Sequence, residues 1–318
     1  MNKISIAIAT YNGERFLREQ LDSLYTQTHI PDEVVVCDDH SSDNTVSILE
    51  QYHQKYGLQY YVNEKSLGCN RNFIKAFGLC TGDFVCICDQ DDIWLPNKIE
   101  TLYSKISSFD NSTPIAISSL RYDIDATGNI IGQVDGKLSE GWRSTLLTYS
   151  RSQGCTMIMN RCLVDLILSI TQNRSELAYQ MYYDELVAYT AAIKGIKINL
   201  PDKLMYYRHH DKNIVDPYVG KLSFKDKVKR VPTFYGFTID ERLIPLCIIN
   251  QLFKDEIEDE ELKLFLEEIS SMMQQPTTWD KFGALIRMRS LPLRQRISIF
   301  FKSLTSITLK KLYHYPTI

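Results

Sequence analysis

The first hundred residues alternate short apolar runs with amphipathic stretches, and a polar turn closes each run. That alternation restricts the possible folds more than any other feature. Ile4, Ile6 and Ile8 lead a β run that ends at Thr10, and Phe16, Leu17, Leu21 and Leu24 then share one helical face. The run EVVVC, from Glu33 to Cys37, reads as a buried strand bounded by Pro31 before it and DDHSSDN after it. Asp43 stands where a helix N-cap is expected, ahead of Val46, Leu49 and Tyr52. LQYYV (Leu58 to Val62) is a third strand, Asn70 to Cys80 a third helix, and FVCIC (Phe84 to Cys88) a fourth strand. Strand followed by helix, repeated, implies parallel pairing through right-handed crossovers. The expected fold class is therefore α/β, a Rossmann-like, mostly parallel sheet flanked by helices.

Ligands of such sheets bind beyond the carboxyl ends of the strands. Three polar segments fall there: Thr10-Tyr11-Asn12, Asp38-Asp39 and Asp89-Gln90-Asp91-Asp92. The last is the sharpest. Carboxylates crowded at a strand end repel one another unless a cation is present, and the oxygen-rich set suits Mg²⁺ or Mn²⁺ together with substrate phosphates. The apolar strand before it and Ile93-Trp94 after it argue against a merely solvated acidic loop. Asp38-Asp39 offers a carboxylate that can accept from a pyrimidine N3–H, and Tyr11, at the neighbouring strand end, offers a ring on which a base can stack.

Segments beyond Pro114 are less regular. IAISSLRYDI and GCTMIMN read as strands of a mixed edge, with turns at Thr127-Gly128-Asn129 and Asp135-Gly136. Leu163 to Ile170 and Met181 to Lys194 read as helices, and KINL and KLMYYR as two closing strands. After about Val215 the pattern becomes helical, with apolar positions at Leu243, Cys247, Ile248 and Leu252 and again at Leu262, Phe265, Leu266 and Ile269. From Lys281 onward there are eight Lys or Arg and no Asp or Glu, interleaved with Phe282, Leu285, Ile286, Ile297, Phe300, Phe301, Leu304, Ile307 and Leu312. Such a segment suits either an anionic membrane surface or a helical cap on the first domain. The expected organisation is one domain over 1–215 and a helical basic region over 216–318.

A net charge of −3 over 318 residues gives no global field for nucleic acid, so no nucleic-acid partner is expected. The eight cysteines lack C-x-x-C spacing and read as free thiols in a reducing compartment. The initial apolar run meets Asn12 and charge too soon for a signal peptide, and no run of about 18 apolar residues occurs. A cytoplasmic protein is expected, with attachment to the inner face of the cell membrane through the basic region as its one membrane role.

ATYNGERFLREQLDSLYTQT, VVVCDDHSSDNT, SLGCNRNF and DQDDIW resemble, in order and spacing, the family 2 inverting glycosyltransferases of the glycosyltransferase A fold. GCTMIMN, YYDELVAYTAAIKG and YYRHHDKN extend the resemblance to about residue 215, and look most like the bacterial branch of rhamnosyltransferases of polysaccharide and O-antigen assembly. The resemblance implies that Thr10, Tyr11 and Asn12 line a nucleotide pocket, with Asp39 on the pyrimidine and Arg71 near its carbonyl. It places Asp89 near the ribose, Asp91 on a Mg²⁺ or Mn²⁺ ion bridging the diphosphate, and Asp92 in support of that shell. Asp184 falls where the family's catalytic base lies, and His210, in R-H-H, where some members supply a further metal or diphosphate contact. The branch's usual His-Asp-Trp-Trp reads Tyr183-Asp184-Glu185-Leu186 here. Glu185 is a rival base, although on a helix it points about 100° away from Asp184. His209 competes with His210, and alternation along an extended segment admits only one of them to the site. Trp94 is expected to anchor the acidic loop, and Trp142 to pack in the interior.

These expectations amount to transfer of a sugar, L-rhamnose from dTDP-rhamnose, onto a glycan or lipid-linked oligosaccharide of a bacterial surface polysaccharide. The alternative donors are UDP-hexose and UDP-N-acetylhexosamine. A nucleotidyltransferase would show a glycine-rich, lysine-bearing phosphate loop after the first strand, and ATYNGERF has one glycine and no lysine. An inactive nucleotide-sugar-binding module would not need Asp89, Asp91 and Asp184 together.

Overall fold

A computed structural model describes residues 2–146, 153–211, 213, 243–276, 278–292 and 296. The chain divides into two compact units, Met1–His209 and His210–Ile318. The expected boundary at residue 215 lies outside the described residues.

The N-terminal unit is built on one sheet. Its strands are β1 (Ile4–Thr10), β2 (Glu33–Asp38), β3 (Gln59–Val62), β4 (Phe84–Cys88), β5 (Ile93–Trp94), β6 (Ile115–Ile124), β7 (Ile130–Gln133), β8 (Ser139–Glu140), β9 (Met157–Asn160) and β10 (Ile196–Arg208). Spatial order runs β3-β2-β1-β4-β9-β6-β10-β5, with β7 on β6 and β8 on β10. The strands up to Cys88 pair in parallel, as the alternation with helices requires. From β9 onward the sheet is mixed: β9 runs antiparallel to both β4 and β6, and β10 runs parallel to β6.

Helices α1 (Leu17–Tyr25), α2 (Thr45–Tyr56), α3 (Cys69–Leu79), α4 (Lys98–Ile106), α5 (Gly141–Leu146), α6 (Arg161–Asn173), α7 (Ser175–Ala178) and α8 (Tyr183–Lys194) complete the unit. β1, β2 and β4 are mostly apolar and buried along almost their whole length, as strands covered on both faces are. Leu17, Leu21 and Leu24 of α1 are fully buried against that layer, whereas Phe16 is only partly covered. In the second unit α9 (Ile244–Phe253), α10 (Glu260–Met273) and α11 (Thr278–Arg287) pack through Leu246, Ile249, Leu252, Phe265, Leu266 and Ile269, all buried. Among the described residues no helix is long and apolar enough to cross a membrane. The tail positions Ile297, Phe300, Phe301, Leu304, Ile307 and Leu312 lie outside the described residues.

Four local expectations need correction. β6 and β9 sit inside the sheet with partners on both sides, not at a mixed edge, because IAISSL and MIMN are apolar enough to be covered on both faces. KINL and KLMYYR form one strand, β10, whose pairing with β6 slips between Asn199 and Lys203, where Pro201 has no N–H to give the ladder. The N-cap of α2 is Asn44. Asp43 precedes it, and its Oδ1 still accepts from the Thr45 N–H at 2.9 Å. Helix α6 begins at Arg161 because the Asn160 side chain accepts from the Leu163 N–H.

Candidate functional site

The strand ends meet as a single polar region. Thr10 is buried and donates through Oγ1 to Asp38 Oδ1 at 2.8 Å, which ties the end of β1 to that of β2. Tyr11 follows and is 54% exposed, unusually open for a large aromatic residue. Asn12 has φ +46, an uncommon value for a residue other than glycine. Its N–H donates to Ser41 Oγ, and its Oδ1 accepts from the Ser42 N–H.

Asp39 is buried, and its carboxylate accepts from Asn63 Nδ2 (2.8 Å), Ser66 Oγ (2.7 Å), Leu67 N (2.6 Å) and Gly68 N (2.9 Å). Burial alone would raise its pKa, but these donors outweigh it and hold the group below the usual carboxylate range. The effect is to clamp the SLG segment ahead of α3. Arg71, on the exposed side of α3, lays its guanidinium 4.0 Å from the Tyr179 ring centroid.

The acidic loop turns inward. Asp92 is fully buried, with Oδ1 accepting from the Arg208 N–H at 3.1 Å and Oδ2 without a hydrogen-bond partner among the described residues. Asp89 and Asp91 are half-buried. One ligand atom each from Asp89, Asp92 and Cys155 lie within 4.8 Å of one another, and Asp91 is not part of that trio. Burial, then the charges of Asp92, Asp91 and Asp184, push the Asp89 pKa well up. Burial, then the charge of Asp91, pushes Asp92 to about 7, against the pull of the Arg208 N–H and the Lys98 ammonium. Carboxylates in this state gain from a cation, and Asp89 and Asp92, whose ligand atoms approach one another, could offer oxygen to a divalent ion.

Asp184 occupies the first turn of α8, where the helix dipole favours a carboxylate. Its Oδ2 accepts from the Gly154 N–H at 3.2 Å and its Oδ1 from the Glu185 N–H at 2.9 Å. Burial pushes its pKa to about 6, and these backbone donors restrain the rise. Glu185 turns away and caps the helix by accepting from the Tyr182 N–H at 3.2 Å. One 3₁₀ turn, Gly154–Thr156, joins the two halves of the site: its first residue holds Asp184, and its second sets a thiol beside Asp89 and Asp92. Cys69, at the start of α3, lies among the same groups. Burial first, then the charges of Asp89, Asp184, Asp39 and Asp91, push its thiol pKa up.

Several supporting residues carry no obvious signal in the sequence. Lys98 is fully buried at the start of α4, donates to the Cys155 carbonyl at 2.5 Å, and places its ammonium 3.7 Å from the Trp94 ring centroid. Trp94 is thereby buried as an anchor behind the acidic loop. Arg208, 2% exposed, donates to the Asp91 carbonyl at 2.9 Å and to Glu19 Oε2 at 2.5 Å. Asn70 bridges α3 to the entry of α8 through the Met181 carbonyl and the Tyr183 N–H. His209 pairs through Nε2 with Asp123 Oδ1 at 3.0 Å. His210 opens the second unit, where its N–H donates to Asn213 Oδ1 at 2.5 Å. Trp142 is buried, with the Arg143 guanidinium 4.4 Å from its ring centroid.

Residues 5–155 match the family Glycosyl transferase family 2. The chain is 28% identical over 233 residues to the dTDP-rhamnosyl transferase RfbG of Shigella flexneri, covering 70% of this chain and 78% of that protein. It is 30% identical over 131 residues to the Escherichia coli UDP-Glc:alpha-D-GlcNAc-diphosphoundecaprenol beta-1,3-glucosyltransferase WfgD, spanning 41% of this chain and 49% of that one. Among solved structures, S. aureus TarS 1-349 in complex with UDP-GlcNAc superposes with a TM-score of 0.58 at 17% identity, covering 98% of this chain and 93% of that chain.

Proposed function

The chain is a family 2 glycosyltransferase of the glycosyltransferase A fold, and on that premise we propose that it moves a sugar, with inversion, from a nucleoside diphosphate to a glycan hydroxyl. The observation that carries the reading is the turn Gly154–Thr156, which places a carboxylate suited to proton abstraction on one side and the acidic loop on the other.

In this reading the base stacks on Tyr11, between Thr10 and Asn12. Asp39 accepts the pyrimidine N3–H by exchanging one of its present donors, of which the Ser66 hydroxyl rotates most easily. Arg71 reaches the base carbonyl by leaving the Tyr179 ring. Asp89 meets the ribose, and Asp91 would hold Mg²⁺ or Mn²⁺ with the support of Asp92. A bound divalent ion supplies neutralisation of the departing diphosphate. Asp184 takes the proton of the acceptor hydroxyl as the new bond to the anomeric carbon forms. The anomeric carbon–oxygen bond breaks at the same time, and its electron pair leaves with the nucleoside diphosphate. A pKa of about 6 leaves Asp184 ionised at neutral pH yet basic enough to act.

The donor proposed is dTDP-rhamnose, supported by the similarity to RfbG, and the acceptor is a lipid-linked glycan of a bacterial surface polysaccharide assembled at the cytoplasmic face of the membrane. The similarity to WfgD favours UDP-hexose as the second reading. Incubation with each donor, Mn²⁺ and a lipid-linked acceptor, with the product anomer read by NMR, tests the proposal. Inverted product, with kcat lowered about 10²- to 10⁴-fold by Asp184→Asn, is expected. Retained stereochemistry, or undiminished turnover in that variant, contradicts it.

A further inference from the structure

Gln90 is the one residue of the Asp89–Asp92 loop without a charge, and its side chain is engaged at both ends. Its Oε1 accepts from the Tyr11 N–H at 2.9 Å, and its Nε2 donates to the Tyr11 carbonyl at 3.2 Å. One primary amide thus spans both main-chain polar groups of a single residue in the loop after β1. Gly13 leaves the room for it: a Cβ at that position would lie 2.2 Å from Gln90 Oε1 and 2.7 Å from its Cδ. Gly13 has no positive φ, so close approach explains the glycine here and backbone freedom does not. The two loops are otherwise held separately. Asn12 is fixed to Ser41 of the β2–α2 connection and Gly13 to Thr45 at the start of α2, while Asp91 and Asp92 are fixed to Arg208 at the end of β10.

We propose that Gln90 is a positioning residue that sets the distance and angle between the base-stacking ring of Tyr11 and the carboxylate of Asp91, so that one nucleoside diphosphate engages both at once. The proposal rests on the reading of the site as a nucleotide-sugar pocket. The physical basis is that of a two-point ligand. Base and diphosphate are covalently linked, so the second contact costs little entropy only when the two receptor points already have the ligand's spacing. Hydrogen bonds from a partly exposed amide are individually weak, and a pair of them steers geometry more than it adds stability. Loss of the latch therefore leaves each end of the pocket able to bind its own part of the ligand and removes the advantage of binding both.

The test compares a ligand that reaches both ends with one that reaches only the metal end. Affinities for dTDP and UDP, and for inorganic pyrophosphate, are measured by calorimetry in saturating Mn²⁺ on the full chain, in wild type, Gln90→Ala and Gly13→Ala. Gly13→Ala breaks the same contact from the other side, because its methyl group displaces the Gln90 amide while every residue of the Asp89–Asp92 loop is kept. In both variants the nucleoside diphosphate is expected to bind about tenfold more weakly, with pyrophosphate unchanged within about twofold. Unchanged nucleotide affinity in both variants overturns the role of Gln90 and leaves the proposed function intact. Equal weakening of nucleotide and pyrophosphate also overturns it, because Gln90 would then merely support the metal loop. Failure of wild type to bind any nucleoside diphosphate removes the proposed function and this inference together.

Discussion

Replacing Asp184 by Asn should lower kcat about 10²- to 10⁴-fold and at the same time stabilise the protein at alkaline pH. The carboxyl pKa is pushed from an ordinary 3.8 to about 6 by burial, so the folded state resists its ionisation. That gap corresponds to a ceiling of ~3 kcal/mol at ~1.36 kcal/mol per pKa unit. The true value is smaller because Asp184 is only partly buried. The Asn amide also meets one of the two backbone N–H groups that now point at the carboxylate from Gly154 and Glu185. A net gain of about 1–2 kcal/mol is expected at pH 8. The sign follows from a folded-state pKa raised above the unfolded value: the cost of the charge is absent below about pH 4, grows through pH 6 and is complete above it. Urea unfolding of both proteins at pH 4.5, 6 and 8 reads this directly. A variant less stable than wild type at pH 8, or a difference that does not change with pH, would refute the assignment of Asp184 as a strained, desolvated carboxylate.

The same pKa implies that kcat/KM falls as pH drops through about 6, where Asp184 gains its proton, and a rate that is flat down to pH 5 would exclude it as the base. Gly154→Ala places a methyl group 2.2 Å from the Tyr183 hydroxyl, and that ring is stacked on Phe73 at a centroid separation of 4.0 Å. A loss of about 1–3 kcal/mol is expected, with kcat reduced further because Asp184 loses its aligned donor; unaltered urea midpoint and kcat would contradict this. Glu19→Ala removes the carboxylate partner of a guanidinium that is 2% exposed, and should cost about 1–3 kcal/mol despite the partial exposure of Glu19 itself, as measured by urea midpoint.

Sequence periodicity captured the parallel half of the sheet because β1, β2 and β4 are short, mostly apolar runs, the edge strand β3 is rich in β-forming residues, and the helices between them carry apolar stripes. The order β4-β9-β6-β10 was not visible in the same way. A short apolar run such as MIMN shows that a strand is covered, not which strands cover it, and pairing between residues as far apart as Phe84 and Asn160 leaves no local signature. The acidic loop and Asp184 were recognisable from residue type and place in a motif. Lys98, Lys197 and Arg208 were not, because a single charged residue in a polar segment reads as surface, whereas all three are buried here with hydrogen-bonded head groups. Gln90 and Gly13 were invisible for another reason: their relation is one of distance between two loops, and neither residue type announces it.

The central claim is that the strand ends form a metal-assisted pyrimidine diphosphate site. The most direct test is calorimetric titration of dTDP, UDP, GDP and CDP, with and without Mn²⁺, on wild type and Asp91→Ala. The account predicts tight binding of a pyrimidine diphosphate that requires Mn²⁺ and is lost in the variant. Absence of binding to all four nucleotides by the folded wild type with Mn²⁺ present, or binding that Asp91→Ala leaves untouched, would contradict it.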